Sequence, residues 1–499
     1  MEDKIEQRLS ELLELSKSRF SQTQSVKIKE AFEFARLAHM GEKRLSGEEF
    51  IIHPLETSIY LIHWRLDFQT ILAGLLHDTI EHGAATESDI LKTFGGEVLS
   101  LINGVTKVSK VKFKGRNDEE FVENLRKMFL AMAEDLRVVL LRFAERVNNL
   151  ETLVFLPDEQ RASYAKESLE IFSPLAERLD MWLVKTKIDE LAFKHALPAE
   201  YTKVKDLSEI YFEGAQINVN KMKLNLEDAL KKSQIDANVY GRKKSLYSLY
   251  QKLKKPEINW DIKKVYDVVA LRILVSQVKD CYQALGIVHS FYKPIPHLAI
   301  SDFISTPKPN GYRSIHTRVF GPDSKPAEVQ IRTYEMHEEA EFGVSSHLTY
   351  SEAKKEGVDD SVLEGGKVRT EGKKLAWVKQ LASWQKEIKD SREFLKAVKF
   401  DALSKRIFVF SPNGDVFDLP EGATPVDFAY SVHTHLGNYI KSAKVDGKIV
   451  PLNYKLASSE IVEIEKSKNP KPPNRDWLEF VVTHAARADI KKQLKGLKS

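Results

Sequence analysis

The sequence contains a single cysteine, Cys281, among 499 residues. One thiol cannot form an internal disulfide or a cysteine-based zinc site, and such a composition favours a reducing, cytoplasmic compartment. No apolar run approaches the roughly 18 residues that a membrane helix needs, and the acidic, mixed start has no apolar signal core. Basic residues exceed acidic ones by only 76 − 72 = 4, which does not by itself indicate nucleic-acid binding. Secreted and membrane-spanning classes are therefore set aside.

The remaining composition is typical of a folded globular chain, with 42% hydrophobic and 30% charged residues. A chain of this length is expected to form about three domains at roughly 150 residues each. We expect a multidomain protein whose five segments are a helical domain over 1–197, a second domain over 198–350, a linker and helix over 351–402, a strand-rich unit over 403–466 and a basic tail over 467–499.

Apolar spacing predicts a change of fold class along the chain. Up to about residue 195, apolar residues recur three and four positions apart, as over 167–193, which is typical of amphipathic helices. Residues 265–275 are instead a β-branched apolar run typical of a buried strand. Residues 327–333 alternate, which places Glu328, Gln330 and Arg332 on one strand face. The sequence predicts an all-α domain followed by an α/β or α+β domain.

The last third combines a linker, a helix and hairpins. Residues 351–372 are charged and contain glycine, as linkers do, and a helix with Trp377 and Trp384 follows. The run RIFVFSPNGDVFDLP predicts two strands around a Pro-Asn-Gly-Asp turn, and KVDGKIVPL predicts a second hairpin. Beyond them, residues 466–499 carry nine Lys/Arg against three Asp/Glu, a tail suited to RNA.

The helical half offers candidate metal ligands of two kinds, imidazoles and carboxylates, which divalent transition metals accept: His53, His77, Asp78 and Glu145. Adjacent His77 and Asp78 can bind one ion only if a helix aims both side chains inward. Glu81, one turn later, is then placed to handle a metal-activated water. An isolated His-Asp pair is more often chance, and we interpret His39 and His63 as ordinary helix residues.

The order of the motifs GEKRLSGEEFIIHPLE, AGLLHDTIEH, NGVTKVSK and ENLRKMFLAMAEDLRVVLLRFAERVNNLETL closely resembles the HD-type hydrolase domain of the RelA/SpoT family. Proteins of that family make and break guanosine tetra- and pentaphosphate, the bacterial stringent-response alarmones. The resemblance implies Mn²⁺ ligation by His53, His77 and Asp78, with Glu145 as the fourth ligand, and catalytic roles for Glu81 and His82. It implies nucleotide contacts from Arg44, Asn149 and the Asn103–Lys110 segment.

Three positions depart from the pattern of that hydrolase domain. The family motif His-Asp-x-x-Glu-Asp ends here in His82, the fourth ligand is Glu145 where Asp is usual, and Leu45 replaces a basic residue. A histidine at position 82 can act as a base, since imidazole is half-neutral near about pH 6.5, or can crowd the metal site as an extra ligand.

The middle domain carries basic residues and carboxylates in an order that suits transfer of a phosphorus group. Such transfer depends on positioning and on neutralising oxygen charge, so it needs basic clamps and a carboxylate-held Mg²⁺. A lysine-rich stretch such as YGRKKSLYSLYQKLKK is by itself more often a solvated helix face. A carboxylate in a buried run, such as Asp267, is costly unless it meets a partner or a metal.

With TPKPNGYRSIHT and PAEVQIRTYEMHEEAEFG, this region resembles the synthetase domain of the same family, a mixed sheet of the nucleotidyltransferase type. The resemblance implies that Asp267 holds Mg²⁺ and takes part in catalysis, that Tyr312 stacks on the guanine of GTP or GDP, and that Glu328 activates the 3′-hydroxyl as a general base or through a metal. It implies ATP contacts from Arg242, Lys244, Lys252 and Arg272. It implies acceptor contacts from Lys308, Asn310, His316 and Gln330.

This domain departs from the family pattern at two places. Ser245 stands where histidine is usual, and the segment 296–302 lacks two basic residues beside the nucleotide site. The loss of two cations near several phosphates is expected to weaken nucleotide binding or to shift the choice between GDP and GTP.

Residues 407–464 closely resemble a TGS domain, a β-grasp module without catalysis of its own. In longer relatives this module contacts the 3′ end of uncharged tRNA, and His433 occupies the matching position, where a structural role is equally compatible. Long members continue into zinc-binding and ACT or RNA-recognition modules that this sequence lacks, so the ribosome is left open as a partner.

The leading hypothesis is a bifunctional cytoplasmic enzyme. It would transfer pyrophosphate from ATP to the 3′-hydroxyl of GTP or GDP, and would hydrolyse (p)ppGpp to GTP or GDP and pyrophosphate, with opposed coupling between the two sites. One alternative is an enzyme in which one activity has decayed. The other is a non-catalytic sensor that binds nucleotide or tRNA, which the retention of Asp267, Glu328 and the metal ligands argues against.

Overall fold

The structure is a computed structural model, and it describes residues 2–83, 85–109, 118–265, 267–296, 300–308, 311–345 and 376–496. The chain divides into two compact units. The first unit comprises Met1–Gly115, Leu130–Pro307 and Tyr312–Thr370, and the second comprises Arg116–Phe129, Lys308–Gly311 and Glu371–Ser499. The linker predicted over 351–372 lies outside the described residues. A search of the described helices finds none with the length and apolar character to cross a membrane.

The first part of the chain is helical throughout its described residues, as predicted. The helices are α1 (Glu2–Lys17), α2 (Gln22–Ala38), α3 (Ile52–His63), α4 (Phe68–Leu76), α5 (Glu87–Phe94), α6 (Gly96–Ser109), α7 (Asp118–Glu134), α8 (Arg137–Glu151), α9 (Asp158–Glu167), α10 (Ser173–Arg178) and α11 (Trp182–Ala196). Short polar side chains begin several of them: Ser21 caps α2 and Asp67 caps α4 by accepting a backbone N–H, which satisfies a donor left free at the helix start.

The apolar segment 167–193 is not one continuous helix. A π-helical turn (Ser168–Phe172) joins α9 to α10, and Pro174 lies in the first turn of α10. Proline has no N–H to donate to the preceding turn, so regular α-helical bonding is interrupted there. The chain bends again at Asp180, whose φ is 58°, before α11 begins.

A mixed sheet forms the centre of the next region, which confirms the predicted α/β character. Its elements are α12 (Pro198–Lys232), β1 (Ala237–Lys243), α13 (Leu246–Leu253), β2 (Val269–Val275), α14 (Val278–Phe291), β3 (Ser301–Asp302), β4 (Ile315–Phe320), β5 (Pro326–Thr333) and α15 (Tyr334–Phe342). The strand order is β1-β2-β5-β4-β3. Strands β2 and β5 pair in parallel, and the other neighbours are antiparallel.

The strand predicted over 265–275 begins later, at Val269, and all of its residues are buried. Asp267 therefore precedes the strand and is not part of the apolar run. The alternation predicted for β5 is present, because the Gln330 amide donates to the Glu328 carboxylate at 3.0 Å along one face.

The second unit contains the predicted helix and hairpins. Its further elements are α16 (Ala376–Glu387), α17 (Ser391–Ala397), β6 (Arg406–Phe410), β7 (Val416–Pro420), α18 (Pro425–Val432), α19 (Thr434–Gly437), β8 (Ile440–Val445), β9 (Lys448–Val450), β10 (Val462–Lys466), α20 (Trp477–Phe480) and α21 (His484–Gly496). Strands β6 and β7 form one sheet, and a second sheet has the order β10-β8-β9. The basic tail folds back, since Ala486 and Ile490 of α21 pack on α18 in a common apolar cluster.

Candidate functional site

Two histidines and one carboxylate from separate helices converge in the helical half of the first unit. His53 lies in the first turn of α3, and His77 and Asp78 follow the end of α4. The Asp78 carboxylate is 3.2 Å from His77 Nε2 and 3.7 Å from His53 Nε2. One ligating atom of each residue lies within 4.8 Å of the others, so the three can share one ion.

Hydrogen bonds fix which nitrogen of each histidine faces that point. His53 Nδ1 is 2.7 Å from Asn148 Oδ1, and the same oxygen accepts a 2.8 Å bond from the Arg44 guanidinium. Since Arg44 can only donate, the Asn148 atom is the oxygen, and His53 Nδ1 must carry the hydrogen. His77 Nδ1 likewise donates to the Gly74 carbonyl at 2.9 Å. Both Nε2 atoms then face Asp78, as metal-binding imidazoles require.

The charges of this cluster also suit a cation. Burial lowers the pKa of His53 to about 4, so this imidazole is neutral near pH 7. Burial opposes protonation of His77, but the Asp78 carboxylate outweighs that effect and raises the pKa of His77 to about 9. Despite burial, the histidines hold the pKa of Asp78 well below its ordinary value. A divalent cation would replace the proton of His77, and the donor set fits such an ion.

The structure corrects the expected helix in this cluster, whereas ligation by Glu145 stays a prediction. His77 and Asp78 lie at and beyond the end of α4, and residues 77–83 form turns instead of the expected helix. The two side chains converge because the chain turns there, with the His82 N–H donating to the Asp78 carbonyl at 3.1 Å. Glu145, expected as the fourth ligand, instead accepts a 2.6 Å bond from Arg142 and is not among the atoms within 4.8 Å of one another.

Other predicted residues of the helical half surround the cluster. Arg44 donates to Asn149 at 2.9 Å, which brings together two residues expected to contact nucleotide. Partial burial and the nearby carboxylates of Asp78 and Glu145 raise the pKa of Glu81, which favours its holding a proton. Within the Asn103–Lys110 segment, Lys110 and the side chains from 107 onward lie outside the described residues.

A second cluster lies beside the first and joins His82 to His39 and Glu42, neither of which was predicted as a site residue. Glu42 Oε2 is 2.8 Å from both His39 Nδ1 and His82 Nδ1. One ligating atom of each of these three residues again lies within 4.8 Å of the others. His82 therefore faces Glu42 instead of completing the first cluster, and His39 contacts the same carboxylate. Only their convergence in space reveals this, because a lone histidine gives no signal in sequence.

In the mixed-sheet region, Asp267 is held between two lysines. Its Oδ2 atom accepts bonds of 2.7 Å from Lys244 and 2.6 Å from Lys252. Burial alone would raise the pKa of Asp267, but the two ammonium groups outweigh it and lower the pKa to about 2. Oδ1 is buried and has no hydrogen-bond partner in the described part of the chain. That oxygen is available to a hard cation such as Mg²⁺, which prefers oxygen ligands.

A group of arginines surrounds one carboxylate at the end of the sheet. Glu341 of α15 accepts from Arg272 at 2.8 Å and from Arg332 at 3.1 Å, and both guanidinium groups are almost completely buried. The charges of Arg272, Arg332 and Arg242 hold the pKa of Glu341 below its ordinary value against the effect of burial. Three cations with one anion leave net positive charge, which suits a polyphosphate. Sequence reasoning named neither Glu341 nor a role for Arg332.

Four of the residues predicted for the synthetase site, Tyr312, His316, Glu328 and Gln330, form a chain of contacts at β4 and β5. The Tyr312 hydroxyl is 2.8 Å from His316 Nε2, and His316 Nδ1 is 3.6 Å from Glu328 Oε1. Arg318, a residue that sequence reasoning missed, donates to Glu328 Oε2 at 3.4 Å. Its approach follows from the register, which pairs Arg318 with Glu328 across the two strands.

Some predictions fall outside the part of the chain that the structure describes. Asn310 and residues 297–299 lie outside the described residues, and Lys308 belongs to the second unit. Ser245, at the position where the family has histidine, caps α13 by accepting the Ser248 N–H at 3.3 Å. His433 is exposed at the end of α18 in the second unit.

Three regions of the chain match models of known families. Residues 31–182 match the HD domain, residues 241–355 match the region found in RelA/SpoT proteins, and residues 407–466 match the TGS domain. Their order along the chain is the one predicted, and each match coincides with a structurally distinct region described above.

Relatives with similar sequences carry names that refer to alarmone metabolism. The chain is 41% identical over 481 residues to the GTP pyrophosphokinase of Myxococcus xanthus, a match covering 94% of this chain and 60% of that protein. It is 40% identical over 469 residues to the guanosine-3′,5′-bis(diphosphate) 3′-pyrophosphohydrolase of Aquifex aeolicus strain VF5, covering 94% and 64%. It is 39% identical over 489 residues to the bifunctional (p)ppGpp synthase/hydrolase SpoT of Escherichia coli strain K12, covering 98% and 67%. The chain thus spans about three fifths to two thirds of the length of these relatives.

Proposed function

The chain belongs to the RelA/SpoT family, and from that premise we propose that it is a bifunctional alarmone enzyme. It would transfer pyrophosphate from ATP to the 3′-hydroxyl of GTP or GDP, and would hydrolyse (p)ppGpp to GTP or GDP and pyrophosphate. The observation that carries this proposal is the presence of two separate built sites in the first unit. One is the His53–His77–Asp78 cluster, and the other comprises Asp267 with its two lysines and the Glu328–Gln330 pair.

For synthesis, the chain supplies positive charge for phosphates and a carboxylate for the acceptor. Arg242, Arg272 and the lysines that hold Asp267 would bind the ATP phosphates. Glu328 would accept the proton of the 3′-hydroxyl, because Gln330 and Arg318 orient its two oxygens separately and a positioned carboxylate can act as a general base. Tyr312 would stack on guanine, with its hydroxyl held by His316.

For hydrolysis, the helical cluster would hold one divalent cation, which we propose to be Mn²⁺. When bound, the cation would supply charge that stabilises phosphate oxygens and activates water. Glu81, whose pKa is raised, would exchange a proton with the attacking water or the leaving group. Arg44 and Asn149 would position the nucleotide.

In the synthetase site, the Oδ1 atom of Asp267, which has no hydrogen-bond partner among the described residues, supports Mg²⁺ as the ion.

Two contacts favour a second candidate function, an enzyme that mainly synthesises. Glu145 is bonded to Arg142, and His82 is bonded to Glu42, so neither completes the hydrolase cluster. Hydrolysis would then require Glu145 to leave Arg142.

We also propose that His433 and the basic α21 contact uncharged tRNA, because both are in the second unit and His433 is exposed.

The test is to incubate the purified chain with ATP, GTP or GDP and Mg²⁺, and separately with ppGpp and Mn²⁺, and to resolve the nucleotides by anion exchange. Glu328→Gln should abolish synthesis and spare hydrolysis, and Asp78→Asn should do the reverse. Glu257→Gln, at an exposed carboxylate, is the matched control. Synthesis without hydrolysis would favour the second candidate. Guanine-nucleotide binding with no turnover in either tube would favour the sensor.

A further inference from the structure

We propose that His39, Glu42 and His82 form a second divalent-metal site, separate from the His53–His77–Asp78 cluster, and that it takes a Zn²⁺-type ion. One ligating atom from each of the three side chains lies within 4.8 Å of the others. Two imidazoles and one carboxylate are a donor set that Zn²⁺ accepts, with a remaining position open to water or a ligand oxygen. The inference does not depend on the proposed function.

The spacing of the donor atoms fits an ion after a small adjustment. Glu42 Oε2 lies 2.8 Å from Nδ1 of His39 and 2.8 Å from Nδ1 of His82. Ligands bound at about 2.0–2.2 Å around a tetrahedral Zn²⁺ are separated by roughly 3.3–3.5 Å. Each of the two carboxylate–imidazole pairs therefore needs to open by only about half an ångström, which the partly exposed Glu42 and His82 can provide.

The backbone and an aromatic ring hold these side chains in place. His39 ends α2 and its side chain is buried, and the Glu42 N–H donates to the His39 carbonyl at 3.1 Å. The Phe50 ring lies 4.7 Å from the rings of both His39 and His82, and the Phe50 N–H donates to the Glu42 carbonyl at 3.0 Å. Because these side chains are already held in place, they lose less conformational entropy when they bind an ion.

The two clusters are neighbours with separate ligands. The Phe50 ring also lies 5.9 Å from the ring of His53, so it packs between a ligand of the first cluster and both histidines of the second. Neither cluster shares a ligand with the other, so each is expected to bind its ion when the other is disabled. Protons compete with a metal ion for the second cluster, because Glu42 can also accept a hydrogen bond from each histidine.

The experiment counts metal ions bound to the full chain. Chelator-treated protein is dialysed against excess Zn²⁺ and assayed by mass spectrometry of the metal, and Co²⁺ replaces Zn²⁺ so that its visible spectrum reports the ligand field. We expect two equivalents for the parent chain and one for each of His82→Gln, Glu42→Gln and Asp78→Asn. Combining Glu42→Gln with Asp78→Asn should leave none. His63→Gln, at a histidine outside both clusters, should retain two equivalents.

The single variants also serve as folding controls, because each should keep the ion of the other cluster. The Co²⁺ spectrum that remains in Asp78→Asn should be absent from Glu42→Gln. An unchanged Zn²⁺ count in both His82→Gln and Glu42→Gln relative to the parent chain would overturn the proposal and leave a proton-bridged triad as the description of these residues.

Discussion

At the scale of single residues, the candidate sites are defined by which atoms are left available after neighbouring bonds are made. Asn148 and the Gly74 carbonyl take the Nδ1 hydrogens of His53 and His77. Lys244 and Lys252 both bind Oδ2 of Asp267 and leave Oδ1 without a partner among the described residues. The effects of the residues that make these bonds can be measured separately from catalysis.

Asn148→Ala should weaken Mn²⁺ binding roughly 10–100-fold, which is the usual effect of removing a residue that orients a ligand. The variant leaves His53 in place but removes the acceptor that fixes its ring and holds Arg44. Titration of Mn²⁺ followed by electron paramagnetic resonance gives the affinity. Asn220→Ala, at an exposed asparagine bonded to Gln216, is the control. Unchanged affinity in Asn148→Ala would remove the argument from imidazole orientation.

The stability of the mixed sheet should fall as the pH drops from about 6.5 towards 4 because of His337. Burial, together with the charge of Arg332, lowers the pKa of His337 to about 4. The unfolded chain, with an ordinary histidine pKa of about 6.5, then binds more protons over this range. The folded state therefore loses stability on acidification, by about 1 kcal/mol or more between about pH 6.5 and 5 for this group.

His337→Asn should reduce that loss, because asparagine does not titrate and can still accept the 2.6 Å bond from Arg332. Hydrogen exchange of the β2 and β5 amides, corrected for the intrinsic effect of pH, measures the local stability. His63→Asn, at a histidine far less enclosed by other side chains, controls for loss of a histidine as such. Equal acid sensitivity in parent and His337→Asn would contradict the prediction.

At the scale of helices and strands, sequence patterns identified most elements but not their ends. Apolar spacing identified the first part of the chain as helical, a β-branched run located β2, alternation located β5, and turn residues located the hairpins. The pattern could not show that α4 stops at Leu76, because the next residues include no proline and the first glycine comes only at Gly83. The turn over 77–83 is held by local backbone bonds and by the contact of His82 with Glu42, and it is this turn that directs His77 and Asp78 to one point.

Pairs distant in sequence were likewise beyond prediction from local pattern. The resemblance supplied His53, Asp267 and Glu328. In the structure each of these residues contacts another residue that the resemblance also supplied. It could not supply the Glu42–His82 contact, the Arg318–Glu328 contact or the arginines around Glu341. Each of these depends on strand register or helix packing, which are properties of the folded chain.

Asp427 links the start of α18 to the C-terminal segment by hydrogen bonds. Asp427→Asn should lower the local stability of both segments. Its Oδ2 accepts from the Thr424 N–H and hydroxyl, and its Oδ1 accepts from Val482 and Thr483. An asparagine offers one acceptor oxygen and places an amide against the remaining donors. Hydrogen bonds to a charged group contribute about 1.5–3 kcal/mol each, so we expect a local loss of about 3 kcal/mol.

Hydrogen exchange of the full chain checks the Asp427 prediction. The Thr424, Val482 and Thr483 amides should exchange about 100-fold faster in the variant, since 1.4 kcal/mol corresponds to about tenfold. Asp415→Asn, at an exposed turn residue, should leave them unchanged. If only the Thr424 amide responded, Asp427 would act as a helix cap alone.

At the scale of the whole first unit, the helical and mixed-sheet regions meet through the apolar packing of Phe193 and through polar contacts. Arg65, just after α3, donates to both carboxylate oxygens of Glu338 at 2.7 Å and lies 5.2 Å from the centre of the Phe342 ring. The Val344 N–H donates to the Leu179 carbonyl at 3.2 Å. Glu338 and Phe342 belong to α15, the helix that also carries Glu341 of the arginine group. Nucleotide bound at those arginines could thus alter a helix that contacts the hydrolase region.

Opposed coupling between the two activities is therefore expected to depend on the Arg65–Glu338 pair. A non-hydrolysable ATP analogue with GDP is expected to inhibit ppGpp hydrolysis. An exposed ion pair contributes about 0.2–1 kcal/mol, so Arg65→Glu should weaken this inhibition by up to about fivefold. Combining Arg65→Glu with Glu338→Arg should restore the inhibition, because the reversed pair re-forms. Lys232→Glu, in another exposed pair, is the control. Full-rate synthesis and hydrolysis together in the parent enzyme would refute the coupling.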